Sequence, residues 1–263
     1  MKRIYFSFAL IVGATACGIS TQQEVQMGQQ EAAQINQQLP MVTDPEANRY
    51  INLLGDQIAS HTSRADLDWR FFIVDSREVN AFAVPGGYIY VNRGLIERTD
   101  NMSELAGVLG HEIGHVVLRH TVKQMEKMQG ANIGVTLACV LTNVCNSQAA
   151  QAAINVGGTA VFAKFSRGDE AQADNQAVKN TIAAGITPNG VVTMFEKLIA
   201  ERKSRPGSLE AFFATHPGEE DRIVAVQAAI NQYPAASLRN LTTNTTNYNS
   251  FRSRIRSLPA PRQ

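Results

Sequence analysis

At 263 residues the chain is long enough for one large domain or two small ones, and 44% hydrophobic residues is enough to bury a core. The formal net charge is +1, and without Lys2 and Arg3, which fall in a segment expected to be removed, 22 basic residues face 23 acidic ones. That balance excludes a nucleic-acid-binding footprint, so no nucleic-acid partner is expected.

The chain opens MKRIYFSFALIVGATACG: two basic residues, an apolar run from Ile4 to Val12, small residues and then Cys17. This is the layout of a secretory signal over residues 1–16, and the run is too short to span a bilayer as a helix. Ala14 and Ala16 before Cys17, with Gly18 after it, resemble the lipobox of bacterial lipoproteins. The resemblance implies a lipid-bearing Cys17 and a membrane tether of acyl chains. Ordinary signal cleavage near the same place is the alternative. Cys139 and Cys145 are then a pair in an oxidising compartment, either bridged or two buried thiols. With no histidine or second cysteine pair nearby, they do not form a zinc site.

Residues 20–38 are Gln-rich, with a thin apolar stripe of Val25, Ile35 and Leu39, and predict a surface helix ended by Pro40. Asp44 as cap and Pro45 as first helical residue start a second helix to about Ser60, with Tyr50, Leu53, Leu54 and Ile58 at helical spacing. Residues 69–75, 80–84 and 88–92 are aromatic and β-branched, and Pro85-Gly86-Gly87 supplies a turn between the last two. They predict a small antiparallel sheet with a hairpin. Beyond Arg93 helices are expected over 93–98, 102–127, 148–163, 169–184, 189–203 and 219–231, with a core helix or cleft loop over 130–145. Residues 233–263 read as a low-complexity, flexible tail. Its arginines, Arg239, Arg252, Arg254, Arg256 and Arg262, are either solvated or meet an acidic partner or membrane surface. The fold class is α+β, mostly helical, with one domain over 17–232.

On the helix through SELAGVLGHEIGHVVLRHT, His111 and His115 are four residues apart and project from one face, where both imidazoles can grip one ion. Glu112 follows the first histidine, placed to take a proton from water and later pass it to a leaving amine. Zinc fits because catalytic zinc sites keep three protein ligands and one open position. Two surface histidines on an amphipathic helix are the alternative. A metzincin site is ruled out, since Leu118 and Thr121 stand where glycine and a third histidine would be needed. His120, nine residues from His111, falls roughly on the opposite side of a continuous helix and reads as structural. The remaining solution is a later glutamate. FSRGDEAQADNQAV offers Glu170, with Asp174 four residues on to orient a histidine through its other nitrogen.

NAFAVPGGYIYVNRGLI, AGVLGHEIGHVVLRH, FSRGDEAQAD and THPGEEDRI, in that order along the chain, resemble the gluzincin metallopeptidases of the HtpX and CAAX-prenyl-protease type. The likeness is to their soluble periplasmic lipoprotein branch and covers residues 20–232. It implies a zincin-like metallopeptidase fold, one Zn2+ held by His111, His115 and Glu170, Glu112 as general base, and Asp174 as the carboxylate behind a ligand. It also raises the strand Asn80, Ala81, Phe82 and Ala83 from an ordinary hairpin strand to one that pairs with an unfolded substrate. Three readings of His216 stand: a loop residue, a transition-state donor, or a fourth zinc ligand in a resting state. Arg222 is a possible anchor for its loop.

The function implied is a zinc endopeptidase of the bacterial envelope, lipid-anchored on the periplasmic side of the outer membrane. Its substrates would be misfolded or unassembled envelope proteins, with envelope assembly machinery as a partner. The alternative is a chaperone-like binding module without catalysis, which has no use for Glu112.

Overall fold

The computed structural model describes residues 18–130, 164–205, 207, 209–217 and 220–260. The signal segment, Cys17, Cys139, Cys145, the stretch 130–145 from Ala131 onward and the helix expected over 148–163 lie outside the described residues.

The Gln-rich stretch forms α1 (Thr21–Gln38), started by a reciprocal cap between Ser20 and Gln23. Its buried face is Glu24, Gly28, Ala32 and Ile35, so of the predicted stripe Ile35 is buried while Val25 and Leu39 are only partly so. A Cβ on Gly28 would stand 1.8 Å from the carbonyl oxygen of Pro85, so only glycine lets α1 seat on the hairpin turn. The buried Glu24 carboxylate accepts from Arg64 Nη1 at 2.6 Å and from Arg119 Nε at 2.9 Å. Two guanidiniums thereby offset the cost of burying its charge. α2 (Pro45–Ala59) starts as its sequence requires: Ala47 N donates to Asp44 Oδ1 at 2.9 Å, and Ile51, Leu54 and Ile58 face inward.

Three strands follow, β1 (Arg70–Val74), β2 (Ala81–Val84) and β3 (Tyr88–Asn92), in the order β1-β3-β2. The hairpin is antiparallel as expected, with Ala81 opposite Val91, but β1 runs parallel to β3, with Arg70 opposite Tyr88. The sheet is therefore mixed, a correction to the wholly antiparallel expectation. Alternating side chains reveal a strand's two faces but not its direction. One face stacks Phe72, Tyr90 and Phe82 under α1, with centroids 4.9 Å apart at each step. The other turns Phe71, Ile73, Ala81, Ala83, Ile89 and Val91 into the main core.

That core is built around α4 (Met102–Val117), whose sixteen residues are nearly all buried. α3 (Arg93–Ile96) leads into it, and α6 (Arg167–Ala183) and α7 (Asn189–Ser204) lie across it, with α2 and β2 also packed against it. Asn101 is the cap of α4, accepting from Glu104 N at 3.1 Å. The single helix expected over 102–127 is two: α4 stops at Val117, Arg119 adopts φ 57°, and α5 (His120–Gly130) begins in a new direction. α8 (Glu210–Thr215) and α9 (Glu220–Asn231) close the far side of the centre.

The tail expected to be flexible also holds a helix, α10 (Thr246–Ser257). Its apolar anchors are only Tyr248, Phe251 and Ile255, spread among Asn, Ser and Arg, so composition hides the period. Tyr248 donates to Thr99 O at 3.0 Å, and Phe251 stacks on Tyr50 at 4.5 Å. Arg252 pairs with Asp100 and Arg254 with Asp44, each at 2.6 Å, which places these two arginines against the domain's own acids.

Candidate metal centre

Small residues decide how closely α4 and α6 approach. A Cβ on Gly114 would lie 3.0 Å from Ala173 O, and one on Gly110 would lie 3.3 Å from the Cα of Ala177. The helices therefore meet backbone to backbone, and side chains one turn away can share a site. α6 starts with a reciprocal cap between Ser166 and Asp169, which uses Asp169 at the surface and turns Glu170 inward. Asp174 follows one turn later on the same face.

His111, His115, Glu170 and His216 converge, all buried, with one ligand-type atom from each within 4.8 Å of the others. His115 Nε2 lies 3.0 Å from His111 Nε2, and His216 Nδ1 lies 3.3 Å from both His111 Nε2 and Glu170 Oε1. Glu170 oxygens stand 3.5 Å from His111 Nε2 and 3.4 Å from His115 Nε2. A tetrahedron with arms of about 2.0–2.1 Å, the usual zinc–nitrogen length, has edges of about 3.4 Å. The separations of 3.0–3.5 Å are close to those edges, and bare imidazole nitrogens this close repel unless a cation lies between them. The residues fit zinc, with two or three neutral nitrogens and one carboxylate as donors.

Behind His111, Asp174 Oδ1 stands 2.8 Å from Nδ1. Asp174 is itself gripped by Arg222, whose Nε and Nη2 donate at 2.8 and 2.7 Å. Arg222 Nη1 also lies 2.7 Å from Glu170 Oε2, a close ion pair without the angles of a hydrogen bond, and the guanidinium caps the Phe195 ring at 4.3 Å. Arg222 therefore anchors the two carboxylates of α6 rather than the loop of His216. Burial pushes the His111 pKa down, but the Asp174 and Glu170 carboxylates override it and raise it to about 10 in the metal-free protein. His115 goes the other way, lowered well below the usual value by burial. Burial alone would raise Glu170 and Asp174, yet His216 and the two ligand histidines lower Glu170, and His111 with Arg222 lowers Asp174.

Glu112 is buried with neither carboxylate oxygen hydrogen-bonded, and burial raises its pKa. Its Oε1 is 3.5 Å from His216 Nε2. Beside it opens a cleft walled by Val108, Val191, Met194, Phe195, Leu198 and Phe212, which sequence reasoning did not single out. Among these, Phe212 also packs on the ring of His216 at 5.1 Å. β2 is an edge strand packed on α4, and no strand among the described residues pairs with its outer side.

His120 does not face away as a continuous helix would require. The break at Arg119 turns it back, buried, so that its Nδ1 lies 2.9 Å from His115 Nδ1. Phe165 was also missed; it stacks on the His115 ring at 3.9 Å and 26°.

Residues 45–230 match the model of peptidase family M48. The chain is 33% identical over 223 residues to the beta-barrel assembly-enhancing protease of Escherichia coli O157:H7, covering 81% of this chain and 45% of that protein. It is 36% identical over 148 residues to metalloprotease LoiP of Escherichia coli K12, 56% of this chain and 57% of that one. Metalloprotease YcaL of the same strain is 34% identical over 146 residues, 55% of this chain and 56% of its own length. The chain thus spans about half the length of the curated relatives it matches. On the extent of that match, and with the residues of the buried centre inside it, the chain belongs to peptidase family M48.

Proposed function

We propose that the protein is a zinc-dependent endopeptidase of the bacterial cell envelope that hydrolyses peptide bonds in misfolded or unassembled envelope proteins. The observation that carries this reading is the buried convergence of His111, His115, Glu170 and His216 beside the Glu112 carboxylate, which accepts no hydrogen bond. His111, His115 and Glu170 hold the ion. When bound, zinc polarises a peptide carbonyl and makes a water acidic enough to lose a proton near neutral pH.

Glu112 accepts that proton and delivers it to the departing amine nitrogen, a task suited to a carboxylate whose pKa burial has raised. Asp174 accepts the Nδ1 proton of His111 and so directs the bare Nε2 inward. His216, close to the same position, acts either as a latch that leaves before substrate enters or as a donor to the developing oxyanion, and its place in the buried cluster favours the latch. Asn80 and the edge strand β2 through Ala83, buried in this conformation, would pair with an extended chain once that edge is uncovered, and the apolar cleft beside Glu112 suits an apolar side chain next to the scissile bond. Unfolded envelope proteins present both.

The lipid anchor at Cys17, the periplasmic side of the outer membrane as address and a link to envelope assembly machinery belong to the same reading. The names of the relatives and the lipobox support it. No described helix is long and apolar enough to cross a membrane. Degradation of unfolded casein, with and without chelator, tests the reading. Chelator-sensitive cleavage that Glu112→Gln removes is expected; binding of the unfolded chain without cleavage would favour the chaperone-like alternative instead.

A further inference from the structure

The geometry points to His120 as a positioning residue that fixes the tautomer and ring orientation of His115. This rests on His115 being a metal ligand through Nε2, as proposed above. A neutral imidazole carries one N–H. If Nε2 of His115 offers its lone pair to the ion, the proton sits on Nδ1. The partner facing that atom is His120 Nδ1, at 2.9 Å and buried. To accept, His120 Nδ1 must be bare, so its own proton lies on Nε2. That atom faces two acceptors, Gln172 Oε1 at 3.4 Å and Asp169 Oδ1 at 3.8 Å. Each assignment along the row follows from the one before, and the outer end meets oxygens rather than donors.

Nothing in a regular helix would place His120 there. Residues five apart on an uninterrupted α-helix point about 140° away from each other. Here the two rings lie 5.0 Å apart because Arg119 adopts φ 57° and restarts the chain as α5. The strained backbone is held by the Arg119 side chain, which donates to Glu24 Oε2 at 2.9 Å and to the carbonyl of Ile19. Phe165, stacked on the face of the His115 ring, fixes its plane but has no preference between its nitrogens. Packing and tautomer are therefore supported by different neighbours and can be separated.

Two variants of similar size separate them. In His120→Asn the amide oxygen falls where Nδ1 was and can still accept from His115; in His120→Gln it falls near Nε2 and cannot. Zinc affinity by chelator competition should drop on the order of 10–100-fold in His120→Gln, the usual cost of losing a partner behind a ligand, and much less in His120→Asn. The visible spectrum of the cobalt(II)-loaded protein should change in the same order. Equal affinities in the two variants, or the reverse order, would overturn the inference and leave the metal centre standing. Failure of the unmutated protein to bind zinc would overturn both.

Nitrogen-15 spectra of the histidines in the unmutated zinc-loaded protein give a second measurement that depends on no variant. His115 protonated on Nδ1 and His120 on Nε2 is expected; a proton on His120 Nδ1 would refute the assignment.

Discussion

The two histidines of α4 face the same ion position from one helix turn apart, yet what stands behind them differs in kind. His111 backs onto a carboxylate, Asp174, which is pinned by the Arg222 guanidinium. His115 backs onto a neutral ring, His120, with Phe165 stacked against its face. The first arrangement is a chain of full charges. It raises the basicity of His111 so far that a proton competes with metal there. The second sets direction without adding charge, so burial keeps His115 unprotonated and ready. A centre needs only one strongly basic ligand to secure charge balance, and a second one would deepen the competition with protons.

The largest expected effect leaves both supports intact. Glu112→Gln should reduce peptidase turnover by about 10²–10⁴-fold while zinc still binds, because it removes a base and no ligand. Zinc loss alongside activity would show Glu112 to be structural. Next, Asp174→Ala strikes the charged support. It should weaken zinc binding on the order of 10–100-fold. It also takes from the buried Arg222 one of its two carboxylates, leaving only Glu170, so the metal-free protein should lose stability in chemical denaturation. A loss of affinity no greater than in His120→Asn would erase the contrast between the two sides.

The pH dependence sharpens the comparison further. Zinc must displace the proton of His111, so apparent affinity should rise by about tenfold per pH unit from neutrality toward about 10, where that proton is lost in the metal-free protein. The stability of the metal-free protein moves oppositely. A histidine pKa raised on folding contributes fully below its ordinary value of 6.5 and loses that contribution as pH rises toward about 10. Asp174, lowered on folding, contributes above its ordinary value and is lost as pH falls through the lowered one. Flat zinc affinity across neutral to alkaline pH would mean the charged support does not act as described. The smallest effect expected is in His216→Ala, which should raise basal proteolysis or self-cleavage modestly if the ring is a latch. Depressed turnover would identify it as a transition-state donor.

The residues proposed as ligands were legible because their chemistry is local: two histidines four apart declare a shared helix face, and a glutamate and aspartate four apart declare another. The hairpin was legible from its glycine turn. The direction of β1 was not, since alternation carries no polarity. His120 was misplaced for a definite reason: helical arithmetic holds only while the helix continues, and Arg119 breaks it without glycine or proline to announce the break. The glycines at 110 and 114 lie inside the ligand motif, but their close contact with Ala173 and Ala177 depends on a helix more than fifty residues later. The apolar cleft is equally non-local, joining α4, α7 and α8.

Glu24 carries one more consequence, for where this protein can be cut. The family match runs over 45–230 and contains every proposed ligand, but it leaves out both ends of the folded body. A protein trimmed to those limits would leave Arg64 and Arg119 without the carboxylate that joins them, loosening the support of the turn that brings His120 to His115. It would also lose Tyr248 from Thr99 and Phe251 from Tyr50. The span of the family model is thus smaller than the unit of folding, and a protein trimmed to it would keep its proposed ligands while losing the frame that aims them.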